Sequence, residues 1–229
     1  MGEIPDRCVR CQGTFEIECL WACWQEIART SVARSFPRGA LLAMEGSPIG
    51  AVHLIRAGRL KLSKTLEDGR ELIVGFRGAG AHLGLAGLYV ENQACNAEAV
   101  EPTSTCAIRR PDFIRLVRED PKVAQAVVEQ LAIELGRARE RLRDVALKTA
   151  RERVASHLLS LVARPTASCR SAVVELESSR QDVSRMIGLR TETLFRVLTD
   201  FHEERLIRIR PRSRAIELTD PDGLERLSR

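Results

Sequence analysis

The sequence predicts an α+β chain built from an antiparallel β-roll, a long helix with a self-matching apolar seam, and a C-terminal winged helix-turn-helix. Three patterns carry that expectation. From Phe36 to about Phe113, short apolar runs are punctuated by glycines such as Gly39, Gly46, Gly58, Gly69, Gly80 and Gly84, as in many short strands joined by tight turns. From Val128 to Val145, apolar residues recur at alternating steps of three and four, the period of one continuous helical stripe. From Ser178 to Phe201, a serine cap, a short apolar-periodic run, Gly188 and a second run follow one another, as two helices joined by a tight turn require.

These patterns divide the chain into an N-terminal arm (1–30), a roll (31–118), a helix (119–148) and a second domain (149–229). A length of 229 residues suffices for two modest cores. The net charge of +5 suits a nucleic-acid partner but does not single one out. The N-terminus is polar, and no window of about 18 apolar residues occurs, so a cytoplasmic protein with no membrane partner is expected. In that reducing setting the seven cysteines favour metal or redox chemistry over a disulfide framework.

Residues 1–30 hold Cys8, Cys11, Cys19 and Cys23 together with both tryptophans and read as a sensor arm. In the roll, Val52–Ala57 and Arg59–Lys64 alternate apolar and polar about Gly58, and Glu67-Asp-Gly-Arg70 supplies a hairpin turn before Glu71–Phe76. At Asp120-Pro121 a helix starts, with the aspartate as cap and the proline where its missing N–H costs nothing. Its seam is Val128, Leu131, Leu135, Ala138, Leu142 and Val145, flanked by Arg137, Arg139, Glu140, Arg141 and Arg143. Such a stripe packs either on its own domain or, as the charged flanks favour, on a second copy about a two-fold axis.

In the second helix of the C-terminal motif, Leu194, Val197, Leu198 and Phe201 share the inward face, and Glu192, Phe195, Arg196 and Thr199 the outward one. Glu192 and Arg196 stand one turn apart, which suits a surface ion pair. The same two groups suit base reading in double-stranded DNA: arginine bonds guanine O6 and N7, glutamate accepts from cytosine N4, and Phe195 presses on a thymine methyl group. Arg190 and Thr191, at the start of that helix, join the candidate DNA contacts. Beyond it, Arg208, Arg210, Arg212 and Arg214 alternate with apolar residues, as in a wing laid along phosphates or in an ordinary solvated hairpin.

The glycine-punctuated roll with Val52–Leu62, the Gly84-Leu85 turn, the heptad helix, Ala150-Arg-Glu-Arg-Val154 and Glu192-Thr-Leu-Phe-Arg196 together resemble the superfamily of the cyclic-AMP receptor protein and the fumarate-nitrate-reduction regulator (CRP/FNR). The resemblance spans nearly the whole chain. It implies a dimeric activator or repressor, not an enzyme, with a cyclic-nucleotide-binding-like roll and RNA polymerase as a partner. Its nucleotide-binding branch holds ribose with a glutamate and phosphate with an Arg-Ser pair. Here the matching stretches read Ala81-His-Leu83 and Cys95-Asn-Ala97, so cyclic AMP is not expected.

The oxygen-sensing branch carries a 4Fe-4S cluster on three N-terminal cysteines and one in the roll. The resemblance assigns those places to Cys8, Cys11, Cys19 and Cys106, with Cys23 as competitor. It implies oxygen or nitric oxide as signal and a palindromic TTGA-type operator. Phe195 departs from the serine common in that branch. A zinc-stabilised or cluster-free regulator of the same family is the alternative. A dithiol enzyme using Cys8 and Cys11 lacks a catalytic constellation. Cys95 and Cys169 read as ordinary residues. His53, His82, His157 and His202 read as structural, His82 being the one placed for a haem.

Overall fold

The computed structural model describes residues 31–162, 172–176, 178–210 and 215–228. Residues through Leu135 form one compact unit and those from Gly136 a second, the division falling inside the long helix.

The first unit is the expected roll. Its strands are β1 (Val32–Phe36), β2 (Leu41–Ala43), β3 (Ala51–Ala57), β4 (Leu60–Thr65), β5 (Glu71–Arg77), β6 (His82–Leu83), β7 (Asn96–Ala99) and β8 (Thr103–Arg109). They form two antiparallel four-stranded sheets, ordered β1-β8-β3-β6 and β2-β7-β4-β5. The turn expected at Glu67–Arg70 joins β4 to β5: Gly69 has φ +83°, Leu66 N–H donates to Arg70 O at 2.9 Å, and Arg70 N–H donates to the Asp68 carboxylate at 3.0 Å. Gly58 turns the chain from one sheet to the other at φ +87°, and a Cβ there would strike the Pro102 carbonyl and the Thr103 backbone.

Period-two alternation gives the roll two apolar layers. Ile55, Leu60, Leu62, Leu83, Ala97 and Ala99 pack together in one. The other lies under helices: Val52 and Leu54 of β3 and Cys106 and Ile108 of β8 meet Phe113, Val123, Ala126 and Val127. Phe113 belongs to α1 (Arg110–Glu119), a helix that the reading of the roll as strands to its end does not include. Pro111-Asp112 in its first turn is the start signal that marks it.

The long helix α2 (Pro121–Leu147) begins as expected, with the Asp120 carboxylate accepting from Lys122 N–H at 2.8 Å. Its first turns are buried against the roll, and Leu131 is packed on the edge of that cluster. On either side of Leu131 the seam faces outward: Val128 is 64 % and Leu142 70 % exposed, and Leu135, Ala138 and Val145 are exposed as well.

The second unit holds α3 (Ala150–Ser160), β9 (Ala172–Glu175), α4 (Arg180–Met186), α5 (Thr191–Glu203), β10 (Ile207–Ile209), β11 (Ala215–Leu218) and α6 (Pro221–Ser228). The wing has three strands in the order β10-β11-β9, one more than the two expected, and α6 closes the unit beyond it. Asp220 caps α6 by accepting from Gly223 N–H at 2.8 Å. Val154, Leu158, Leu194, Leu198, Phe201 and Ile216 lie at the centre of one shared core. No helix of the described residues is long and apolar enough to cross a membrane.

Gly58→Ala should destabilise the roll by about 2 kcal/mol or more, because the left-handed φ and the clash with backbone act together. A urea midpoint for the roll unchanged from wild type would show that the corner yields instead.

Candidate DNA-reading face and sensor cysteines

The helix-turn-helix is set by short-range caps. Ser179 Oγ accepts from Asp182 N–H at 3.1 Å and donates to the Asp182 carboxylate at 2.7 Å, opening α4. Gly188 turns the chain at φ +67°. Arg153 of α3 donates from Nη1 to the carbonyls of Ile187 and Gly188, both at 3.2 Å, satisfying the end of α4 from a neighbouring helix. The Ser184 and Thr191 hydroxyls meet at 3.1 Å, tying the two helices of the motif together.

Helix α5 then divides as its sequence predicts. Leu194, Val197, Leu198 and Phe201 are buried, while Arg190, Glu192, Phe195, Arg196 and Thr199 face out and Thr191 is half-buried. Among the described residues no ion pair joins Glu192 to Arg196, so the arrangement does not take the surface-pair form. Phe195 is 43 % exposed, and the Arg180 guanidinium of α4 lies over its ring at 5.3 Å from the centroid.

The far end of α5 is held by α3. Arg151 Nη2 donates to both Glu204 carboxylate oxygens, at 2.9 and 2.7 Å, its Nη1 lies 3.6 Å from Asp200, and its guanidinium stacks on Phe201 at 5.0 Å. These roles of Arg151 and Arg153 escape the sequence reading, which treats Ala150–Val154 only as a point of resemblance. In the wing, Arg208 and Arg210 both reach Glu217, at 3.4 and 4.0 Å. Arg212 and Arg214 lie outside the described residues.

At the other end, Cys106 sits in β8 opposite Ala33 of β1 and Leu54 of β3, its side chain buried in the cluster that holds α2. Burial pushes its thiol up, opposed by the Arg56 charge and by a hydrogen bond with Ser31. Cys8, Cys11, Cys19, Cys23 and Cys169 lie outside the described residues. Among the described residues no group of three or more His, Cys, Asp or Glu side chains could hold a metal.

Where a nucleotide-binding roll carries its ribose-binding glutamate, His82 is buried beneath α2 and hydrogen-bonded to Gln130. Burial holds it below the usual imidazole range, although the nearby Glu134 opposes this. Glu134 itself accepts from Arg77 Nη2 at 2.7 Å, so β5 also grips α2. His53 is bonded to Thr105 at 3.1 Å, and His202 to the Ile207 carbonyl at 3.2 Å. His157, buried on α3 near Arg141, is pushed down to about 4, and its Nε2 has no hydrogen-bond partner.

A β-roll joined to a winged helix-turn-helix, with an exposed polar face on the second helix of the motif, defines a DNA-binding regulator. Residues 33–120 match the cyclic nucleotide-binding domain and residues 152–227 the Crp-like helix-turn-helix domain. The chain is 31 % identical over 228 residues to a "Probable transcriptional activator" of Rhizobium leguminosarum, covering 97 % of this chain and 93 % of that one. It is 32 % identical over 175 residues to the transcriptional activator protein anr of Pseudomonas aeruginosa, covering 76 % and 72 %. The solved structure of FixK2 from Bradyrhizobium japonicum superposes with a TM-score of 0.75 at 27 % identity, over 87 % of this chain and 98 % of that one. The chain belongs to the CRP/FNR family of transcription regulators, and it is not an enzyme.

His157 gives the C-terminal unit a defined acid sensitivity. Neutral in the folded chain down to about pH 4 and titrating near 6.5 when unfolded, it favours unfolding progressively as pH falls from about 6.5 to 4. Between pH 7 and pH 5 this amounts to about 2 kcal/mol. His157→Leu should remove that part of the slope in urea titrations of the DNA-binding unit, and an identical pH profile would refute the assignment.

Proposed function

We propose that this chain is a dimeric transcription regulator that senses oxygen or nitric oxide through a 4Fe-4S cluster held by Cys8, Cys11, Cys19 and Cys106, with Cys23 as the competing ligand. The observation that carries the reading is the place of Cys106. Its thiol meets Ser31, the first described residue after the arm, while its side chain belongs to the same buried cluster as Val123, Ala126 and Val127 at the start of α2. Cys19 lies only twelve residues before Ser31, and a chain of that length reaches at most about 40 Å, so the arm can return to the thiol beside which it begins.

Four thiolates suit such a cluster, which supplies a centre reactive toward both gases. The protein's own part is mechanical. An arm fastened at Cys106 is fastened to the side chains that seat α2, with no loop between. The exposed seam of Val128, Leu135, Ala138, Leu142 and Val145, entered at Leu131, pairs with a second copy. Release of the arm weakens the pair, but no acidic residue stands in the seam to oppose pairing, so dimerisation depends less on oxygen than cluster assembly does. Each α5 enters a major groove with Glu192 and Arg196 toward base edges and Arg190, Thr191 and Phe195 beside them. Arg212 and Arg214 of the wing lie along phosphates, and half-sites of a TTGA-type palindrome stand about one helical turn apart. RNA polymerase is the partner through which bound protein acts.

The burial of Cys106 among apolar side chains also suits a structural cysteine, and so a cluster-free or zinc-stabilised regulator of the same family. The two readings separate on metal content. Protein purified without oxygen should be brown and carry iron and sulfide, and Cys106→Ala should lose both colour and iron while still folding. Full iron in that variant would overturn the ligand set, and zinc with oxygen-independent operator binding would favour the alternative.

Leu142→Glu should place two carboxylates face to face in the seam. The expected result is a monomer in sedimentation at micromolar concentration, with operator affinity down by tenfold or more. A dimer of undiminished stability would move the interface elsewhere.

A further inference from the structure

Phe195 is the only large apolar side chain that α5 exposes. The ring is not bare. Arg180, the first residue of α4, crosses the gap between the two helices and lays its guanidinium over one face at 5.3 Å from the centroid. Among the described side chains no carboxylate pairs with Arg180, so its charge is not neutralised within the motif. A phenyl ring offers no acceptor oxygen, so the guanidinium N–H donors stay available to a ligand while the ring restrains where the group sits.

In a helix-turn-helix the first helix crosses the sugar-phosphate backbone while the second lies in the groove. A guanidinium that starts from the N-terminal end of α4 and is drawn over the outer face of α5 stands where the groove wall passes. From this geometry we infer that Arg180 binds a DNA phosphate and that Phe195 is its platform, a positioning residue and not a reader of bases. The inference builds on the DNA-reading face assigned to α5. It also accounts for an aromatic where the family resemblance leads one to expect serine: the ring removes the conformational freedom that a long arginine would otherwise lose on binding.

The two roles of Phe195 differ in what they do to sequence choice. A phosphate contact weakens binding to every sequence alike and lowers the salt slope, whereas a thymine contact changes the preferred base. The test uses the full-length protein, an operator duplex and a scrambled duplex of equal length, titrated at several salt concentrations.

Arg180→Ala should weaken both duplexes by about three- to tenfold and reduce the slope of log affinity against log salt by about 0.9 per half-site. Phe195→Ala should weaken both by about two- to fivefold. Phe195→Tyr should restore wild-type binding, and the double variant should bind no worse than Arg180→Ala alone. Selection from random duplexes with Phe195→Ala should return the wild-type consensus. A consensus altered at one base pair, or additive losses in the double variant, would overturn the platform role. Glu192→Ala and Arg196→Ala in the same selection keep the underlying reading separate. An unchanged consensus in both would remove α5 as the reader, while a changed one upholds α5, and the Arg180 and Phe195 variants then decide the platform role on their own.

Discussion

The burial of the first turns of α2 against the β3–β8 face of the roll is the contact on which the rest of the structure depends. Val123, Ala126 and Val127 share one buried cluster with Val52, Leu54, Cys106 and Ile108 of the roll and with Phe113 of α1. With that side of the helix occupied, the apolar stripe of Val128, Leu135, Ala138, Leu142 and Val145 is left exposed. The ion pair of Arg77 with Glu134 and the hydrogen bond of His82 with Gln130 fix the same stretch of α2 by polar contacts. A helix held this way presents a defined stripe, which a freely rotating helix would not.

Comparable logic governs the C-terminal unit, where α3 holds the motif at two points. Arg153 satisfies carbonyl oxygens at the turn, and Arg151 closes on Glu204, Asp200 and Phe201 at the far end of α5. Nη2 of Arg151 is shared between both oxygens of Glu204 while Nη1 turns to Asp200, so one guanidinium restrains two carboxylates of α5's end at once. Exposed ion pairs contribute little stability, so the value of Arg151 lies in orientation, supported by the stack on a fully buried ring.

What could be read from the sequence follows from how local each signal is. The start of α2 at Asp120-Pro121, the Gly69 turn, the Gly188 turn and the two faces of α5 depend on a few adjacent residues, and each appears in the structure as expected. Asp220-Pro221 repeats the signal of Asp120-Pro121 and opens α6, so that helix was legible although no helix was expected there. Strand β9 is short and separated from its partner β11 by the whole motif, so alternation alone could not place it. The contacts of Arg151, 53 residues from Glu204, and of Arg180 with Phe195 join residues that only the fold brings together. Alternation along β8 puts Cys106 on the same face as Ile108, but residues 105–108 are all buried in succession, so that this face meets the helices and not the other sheet is a property of the roll's closure.

That last property decides what a signal at Cys106 could do. A signal shifts an equilibrium only by the difference in its interaction with two states, and allosteric couplings of about 1–3 kcal/mol correspond to roughly 5- to 150-fold in affinity. The seam cannot supply that difference by repulsion, since its positions are apolar throughout. The seat of α2 can, because a close-packed cluster answers a displaced member by repacking and not by gradual deformation. Cys106 is a member of that cluster, and Ser31, where the described chain begins, is already bonded to it. On the proposed reading, the state of the arm therefore acts on how α2 is seated, and only through that seating on the helix pair and its grip on DNA.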